Sequence, residues 1–392
     1  MRIAFYAPLK SPTHGTPSGD RRVARLLMEA LQLAGHRVTL VSDFRSFENT
    51  GDAARQIALR DEGLSIAADL VRQWSPTVRE DCPELWFTYH AYYKAPDWLG
   101  PTVHAALGIP YVIAEASYAP KRAGGPWSLG HEATGQALHA ASLLLCPTRD
   151  DLAGVALVAG ANTQVLQLAP FLDPRIYREA ARERRPHRIA LSRAHGLDPS
   201  VPWMVVAAMM RHGDKLASYR MLAGALRTLA DLPWQLVVAG EGAARAEVEA
   251  LLQLAAPGRA RFAGLCDADT LAGMYAACDL CIWPSVNEAY GMAMLEAQAA
   301  AIPVVACAVR GVPDVVWDGH TGLLAAAGDT QGLADHARSL LCDTPRRVRM
   351  GQAAAQFVLD ERSTAQAADT LNRAFAALQR PLPAVVGRVV QP

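Results

Sequence analysis

One short pattern runs through this chain twice: an apolar run, a turn-rich loop, an amphipathic helix and another apolar run. Arg2–Ala7 reads as a strand, and PLKSPTHGTPSGD follows as a loop. From about Arg21 to Leu33, Val23, Leu26, Leu27, Ala30 and Leu31 recur at helical spacing. Ala34-Gly35 stops that helix and Val38–Ser42 is the next strand. Strand, helix and strand in so few residues form a βαβ unit, which requires a parallel sheet covered on both faces. Further strands are predicted at Leu85–Tyr89, Tyr111–Ala114, Leu143–Cys146 and Thr163–Leu168. The pattern restarts with strand Trp203–Ala208, loop MMRHGDK and helix Ala217–Ala230. Strands Gln235–Ala239, Arg261–Ala263, Leu280–Trp283, Val304–Cys307 and Gly322–Ala325 follow, then helical Gln331–Leu341 and Arg346–Leu378. Between the halves, FLDPRIY, the charged run REAARERRPHR and the turn GLDPSVP read as a polar, exposed linker, the charged run being most simply a solvated connecting helix or loop. The expected division is 1–172, a linker 173–202, 203–360, and 361–392 as a helix crossing back to the first domain plus a tail. The fold class is α/β, two Rossmann-like domains facing an interdomain cleft, with ligands outside the carboxyl ends of the strands.

Composition removes other classes. Hydrophobic residues make up 51% of the 392, which excludes a disordered chain. Lys and Arg total 38 against 38 Asp and Glu, so no global basic field exists to bind a nucleic-acid polymer. The longest apolar stretch, Ala297 to Val309, contains Gln298 and Pro303 and is too short for a membrane span. MRIAFYAPL has too short an apolar core for a signal peptide. Seven scattered cysteines suit reduced thiols in a cytoplasmic protein. Cys278 and Cys281 form a C-x-x-C without a second pair at zinc spacing, so the expectation there is structural.

The segment PSVNEAYGMAMLEAQAAAIPVVA, Pro284 to Ala306, carries the most chemistry. A buried strand ends at Pro284-Ser285, a loop carries Glu288, and Tyr290-Gly291 opens a helix holding Glu296. The helix start near Gly291 and Met292 offers free N–H groups to an anion. A carboxylate on either side of that point can each accept hydrogen bonds from a vicinal diol. Diol, diphosphate, diol describes a nucleotide sugar; the plainer alternative is an exposed loop Glu and a helix-face Glu. Upstream, Arg211 and Lys215 lie after the first strand of the second half, placed to neutralise a diphosphate, with Asp214 between them. Gly240–Gly242 is a strand-to-helix turn. Asp267-Ala-Asp269 imitates a metal clamp, but its place before TLAGMYAA makes Asp267 or Asp269 a helix cap. The first loop has Gly15, Ser18 and Gly19, which let backbone approach a ligand, and no full dinucleotide or P-loop pattern.

Taken in order, the Arg211/Lys215 loop, AGEG, RFAGL before YAACDLCIWPS, Glu288-x7-Glu296 and WDGHTGLL at Trp317–Leu324 resemble the GT-B retaining glycosyltransferases of family 4. The resemblance implies an N-terminal acceptor-binding domain and a C-terminal nucleotide-sugar-binding domain. It implies that Glu296 holds the ribose and Glu288 the donor sugar, while Arg211 and Lys215 hold the diphosphate with Gly19, Gly291 and Met292. The base would lie against the Phe262–Cys266 loop around Leu265, with Gly240 and Tyr290 completing the donor site. Two departures stand out. The usual paired glycine is Ser18-Gly19, and the usual N-domain histidine at a strand end is replaced by Glu115, Ser117 and Tyr118, with His90 ending the preceding strand. Either His90 or Glu115 is therefore expected to face the donor sugar. The expected activity is metal-independent, retaining sugar transfer from a nucleoside-diphosphate donor, a co-substrate rather than a cofactor, to a glycan, lipid or small-metabolite hydroxyl. A sugar-nucleotide epimerase and a non-catalytic nucleotide-sugar-binding module are the alternatives. Arg21, Arg22 and Arg25 on one helix leave a peripheral membrane contact open beside the solvated-face reading.

Overall fold

The computed structural model describes residues 1–15, 18–74 and 81–378; the tail expected after residue 378 lies outside them. The chain forms two compact units. The first contains Met1–Cys146, Asp151–Leu168 and the described residues from Ala367; the second contains Pro147–Asp150 and Ala169–Gln366.

In the first unit, β1 (Arg2–Tyr6), β2 (Arg37–Ser42), β3 (Leu85–Tyr89), β4 (Tyr111–Ala114), β5 (Leu143–Cys146) and β6 (Gln164–Gln167) form one parallel sheet in the order β2-β1-β3-β4-β5-β6. β3, β4 and β5 are buried along their whole length, as parallel strands covered on both faces must be. Beneath them Asp97 is buried, 1% exposed, yet fully served. It accepts hydrogen bonds from Thr88 Oγ1, Tyr111 Oη and the amides of Leu99 and Gly100. Four donors make this carboxylate part of the core rather than part of a site. The helix Gly19–Leu33 is capped by Ser18, whose hydroxyl accepts from the Arg21 amide.

In the second unit, β7 (Trp203–Ala207), β8 (Gln235–Ala239), β9 (Ala260–Gly264), β10 (Leu280–Trp283), β11 (Val304–Cys307) and β12 (Gly322–Ala325) are parallel in the order β12-β11-β10-β7-β8-β9. Read from its other edge, this is the dinucleotide-fold order, whereas the first sheet has the flavodoxin-like order with one strand added. In both, the order reverses beside the first strand: between β1 and β3, and between β7 and β10. The crevice outside the strand ends opens at that reversal.

The stretch expected as an exposed linker is ordered structure of the second unit. Its charged run forms helices Arg175–Arg182 and Arg184–His195. Arg184 and Arg188 reach Asp279 at 2.7 and 3.0 Å, and Arg188 stacks over Trp203 at 3.8 Å. They also bond the carbonyls ending helix Ala268–Ala277, those of Ala276 and Ala277. Cations at a helix C-terminus satisfy carbonyls that lack an intrahelical partner. The last helix, Thr364–Leu378, follows a break at Arg362-Ser363 and groups with the first unit from Ala367 onward.

Candidate active site

At the reversal point of the second sheet, the helix after β7 spans Asp214–Arg227, so Lys215 occupies its first turn instead of the preceding loop. A lysine there opposes the helix dipole and needs an anion. Glu288, from the loop after β10, supplies it at 2.5 Å from Nζ. That carboxylate also takes the Trp283 indole N–H at 3.4 Å, and Lys215 lies 5.5 Å from the Trp283 ring centre. A second cross-link runs beside the first: Asn287 donates to Asp214 at 2.8 Å and accepts from Arg310 at 3.3 Å. Ser285 and Asn287 hold left-handed backbone at φ 66° and 55°. The loop bearing Glu288 is thus strained and pinned, a conformation that persists only when its surroundings enforce it.

Gly291, at φ 69°, caps the helix Met292–Ala299. The first N–H groups of that helix have no intrahelical acceptor. Tyr290 and Met292 are half-buried against the core of the unit. Glu296 is 3% exposed and takes a hydrogen bond from Tyr275 Oη at 3.4 Å. Burial and the neighbouring Glu296 push the Cys281 thiol up to about 12, and burial holds Cys278 higher still, so neither is a reactive thiolate.

Gly240 and Gly242 stand where no side chain fits: a Cβ would meet the Ala208 carbonyl at 2.0 Å and the Met210 carbonyl at 2.2 Å. Their turn is stitched to the loop after β7 through Met210 N–H to Glu241 O and Ala244 N–H to Met210 O. Arg211, on that loop, is exposed and makes no side-chain hydrogen bond or ion pair among the described residues. Leu265, after β9, is 73% exposed. Asp267 caps helix Ala268–Ala277, accepting from the Thr270 amide. Among the described residues no group of three His, Cys, Asp or Glu side chains is arranged to hold a metal.

At the reversal point of the first sheet, His90 and Glu115 end β3 and β4 at φ 59° and 56°. They are brought together, with Nδ1 of His90 3.6 Å from Glu115. Nearer to that nitrogen, at 3.0 Å, is Asp20 of helix Gly19–Leu33, which the sequence reading did not single out. Burial pulls the His90 imidazole down, but Glu115 and Asp20, with Asp151, outweigh it and raise its pKa above the ordinary histidine value. Gly19 starts the same helix, and a Cβ there would meet nothing within 4 Å. Arg21 and Arg25 donate to the carbonyls of Gly15 and Pro12, holding the first loop. No helix among the described residues is long and apolar enough to cross a membrane.

Residues 203–343 match the family of glycosyl transferases group 1. A D-inositol 3-phosphate glycosyltransferase of Corynebacterium aurimucosum is 44% identical over 106 residues, 27% of this chain and 25% of that one. The matched region thus spans about a quarter of the relative's length. Among solved structures, sucrose-phosphate synthase of Thermosynechococcus elongatus superposes with a TM-score of 0.68, at 19% identity over 96% of this chain and 98% of that one. Anabaena HepE, solved in complex with UDP-glucose, superposes at 0.67, with 16% identity over 96% and 100%. The second unit is similar to this family over residues 203–343, and the two sheets with their helices have the GT-B fold.

Proposed function

We propose that this protein is a metal-independent, retaining glycosyltransferase that moves a sugar from a nucleoside-diphosphate donor to an acceptor hydroxyl. The observation that carries the reading is the Lys215–Glu288 pair at the reversal point of the second sheet, beside the start of helix Met292–Ala299. In the donor complex Lys215 turns from Glu288 to the diphosphate, Arg211 joins it, and the amides at Gly291 and Met292 complete the anion cradle. Glu288, released from the lysine, accepts hydroxyls of the sugar, and buried Glu296 accepts those of the ribose. Gly240 brings backbone close to the nucleotide, Leu265 covers the base, and Tyr290 walls the site. The first domain, residues 1–172, binds the acceptor, and 203–360 binds the donor.

In the chemical step the bond between the anomeric carbon and the β-phosphate oxygen breaks, and a bond to the acceptor oxygen forms on the same face. The acceptor proton passes to the departing phosphate oxygen. Negative charge grows on the diphosphate, and preorganised cations and amides stabilise it without reorganisation. Support comes from the family match over 203–343, the GT-B fold and the UDP-glucose bound by HepE.

The test measures transfer directly. The protein is screened for stabilisation by UDP-, GDP- and ADP-sugars, since binding to the native state raises the unfolding temperature. The stabilising donor is then incubated with an acceptor panel, and product anomers are read by NMR. Release of nucleoside diphosphate with an α-linked product from an α-donor is expected. Isomerised donor without acceptor would support the epimerase, and binding without any turnover the non-catalytic module.

A further inference from the structure

His90 in the first domain has a partner the reaction scheme above does not use. Three elements converge on its ring at the reversal point of the first sheet: the helix after β1 with Asp20, the end of β3 with His90 itself, and the end of β4 with Glu115. Asp20 lies 70 residues upstream and meets Nδ1 at 3.0 Å; Glu115 meets the same nitrogen at 3.6 Å. Nε2 has no hydrogen-bond partner among the described residues. Left-handed backbone at His90 and Glu115 is disfavoured for side chains other than glycine, so the fold holds both residues here against a local penalty. The Tyr92 ring lies against the His90 ring, centre 5.3 Å away and tilted by 38°.

We propose that Asp20 is a positioning residue for His90: its carboxylate accepts the hydrogen bond of Nδ1–H, fixes the ring and leaves Nε2–H as the donor presented to a substrate oxygen. This rests on the transferase reading for its substrate, a sugar hydroxyl or a departing phosphate oxygen, but not for its geometry. In the imidazolium both ring nitrogens are donors, so a carboxylate held on Nδ1–H leaves Nε2–H to donate elsewhere. Asp20 does more than add charge, because a hydrogen bond sets orientation while Glu115, farther off, sets mainly potential. The charged and titratable groups facing the ring are Asp20 from the helix, Glu115 after β4, Asp151 from helix Arg149–Ala156, and Tyr89 and Tyr92 on either side of it in sequence. The three carboxylates favour the imidazolium. Hydrogen bonding from His90 is the chief cause holding Asp20 below the usual carboxylate range, against its burial. The pair is therefore ionised together between those two limits.

The experiment compares the full chain with D20N, D20E and E115Q. Two-dimensional NMR of the His90 ring nitrogens over pH reads the positioning without turnover. In D20N the ring should titrate at lower pH than in the wild type and lose the hydrogen-bonded Nδ1 signature. In E115Q the titration should move while that signature stays, and D20E should restore it in part. With the donor found above, the alkaline limb of kcat should move to lower pH in D20N. At pH values past that limb kcat should fall roughly 10- to 100-fold, the scale of a misplaced catalytic group, while donor-induced stabilisation is unchanged. An unaltered Nδ1 signature in D20N overturns the proposal, as does a KM effect on donor with kcat intact. If no donor is turned over, the transferase reading falls while the NMR comparison still decides the Asp20–His90 contact.

Discussion

The two sheets place an acid–base pair at the same topological position and build it with opposite polarity. In the second domain the helix after the first strand brings the base, Lys215, and the loop after the strand across the reversal brings the acid, Glu288. In the first domain the helix brings the acid, Asp20, and the strand end brings the base, His90. A carboxylate near a helix N-terminus agrees with the helix dipole, and a lysine there opposes it. The first pair is thus at ease in the unliganded protein. The second keeps its cation only with an anion beside it, a place that the diphosphate of the proposed donor would take. One crevice geometry can thus hold a cation that opposes the helix dipole or an anion that agrees with it.

The largest effect is expected where that comparison is broken on the donor side. Replacing Lys215 with Ala should lower transfer by about 100- to 1,000-fold, as loss of one preorganised charge does. Turnover within a few-fold of wild type would remove Lys215 from the reaction. Next comes the backbone around it. Gly240→Ala puts a Cβ 2.0 Å from the Ala208 carbonyl at φ 138°, so the second domain should lose about 3 kcal/mol or more in a denaturant titration. Unchanged stability there would mean that the turn is not locked to the loop after β7.

The pairs also differ in their response to pH. His90 has a raised folded-state pKa, so its contribution is full below the ordinary histidine value and fades as pH rises through the raised one. Asp20 is lowered, so its contribution is full above the ordinary carboxylate value and fades as pH falls through the lowered one. The stability gap between wild type and D20N should therefore peak between those limits. It should stay below about 1 kcal/mol, because both groups keep contact with water. A gap that does not vary with pH would mean that the pair is not ionised as a unit. Smallest of all is Gly19→Ala, which meets open space and should change folding stability by less than about 0.5 kcal/mol. If the donor approaches that backbone, its KM should nonetheless rise; an unchanged KM would take Gly19 out of the site.

Much of this was readable in one dimension. Strands such as Leu85–Tyr89, Tyr111–Ala114 and Val304–Cys307 fall where the apolar runs place them. A fully buried parallel strand reads as a nearly continuous apolar run and ends at a turn signal. Asp267 was legible as a cap because capping depends only on neighbours three residues away. Glu288 and Glu296 stood out as candidates because one strand–loop–helix unit carries both. The charged run near Arg184 forms helices with no buried residue in the second, but its partner was not readable, because charge density alone does not show that Asp279, 95 residues later, awaits it. Its Arg184–Arg188 spacing of four was the signal, one helical face carrying two cations. Asp20 was passed over for a similar reason, since its partner is distant in sequence.

By itself the sequence determined the alternation of strands and helices, the split into two α/β halves and the segment that carries the paired glutamates. Those features rest on periodicity and on contacts a few residues long. Tertiary structure alone decided which charges meet: Lys215 with Glu288, Asp20 with His90, and Arg184 with Asp279. Strand order decides which loops become neighbours, and an ion pair exists only where two loops are brought within a few ångströms. A charge's partner is therefore a property of the sheet, and the chemistry of each site follows from it.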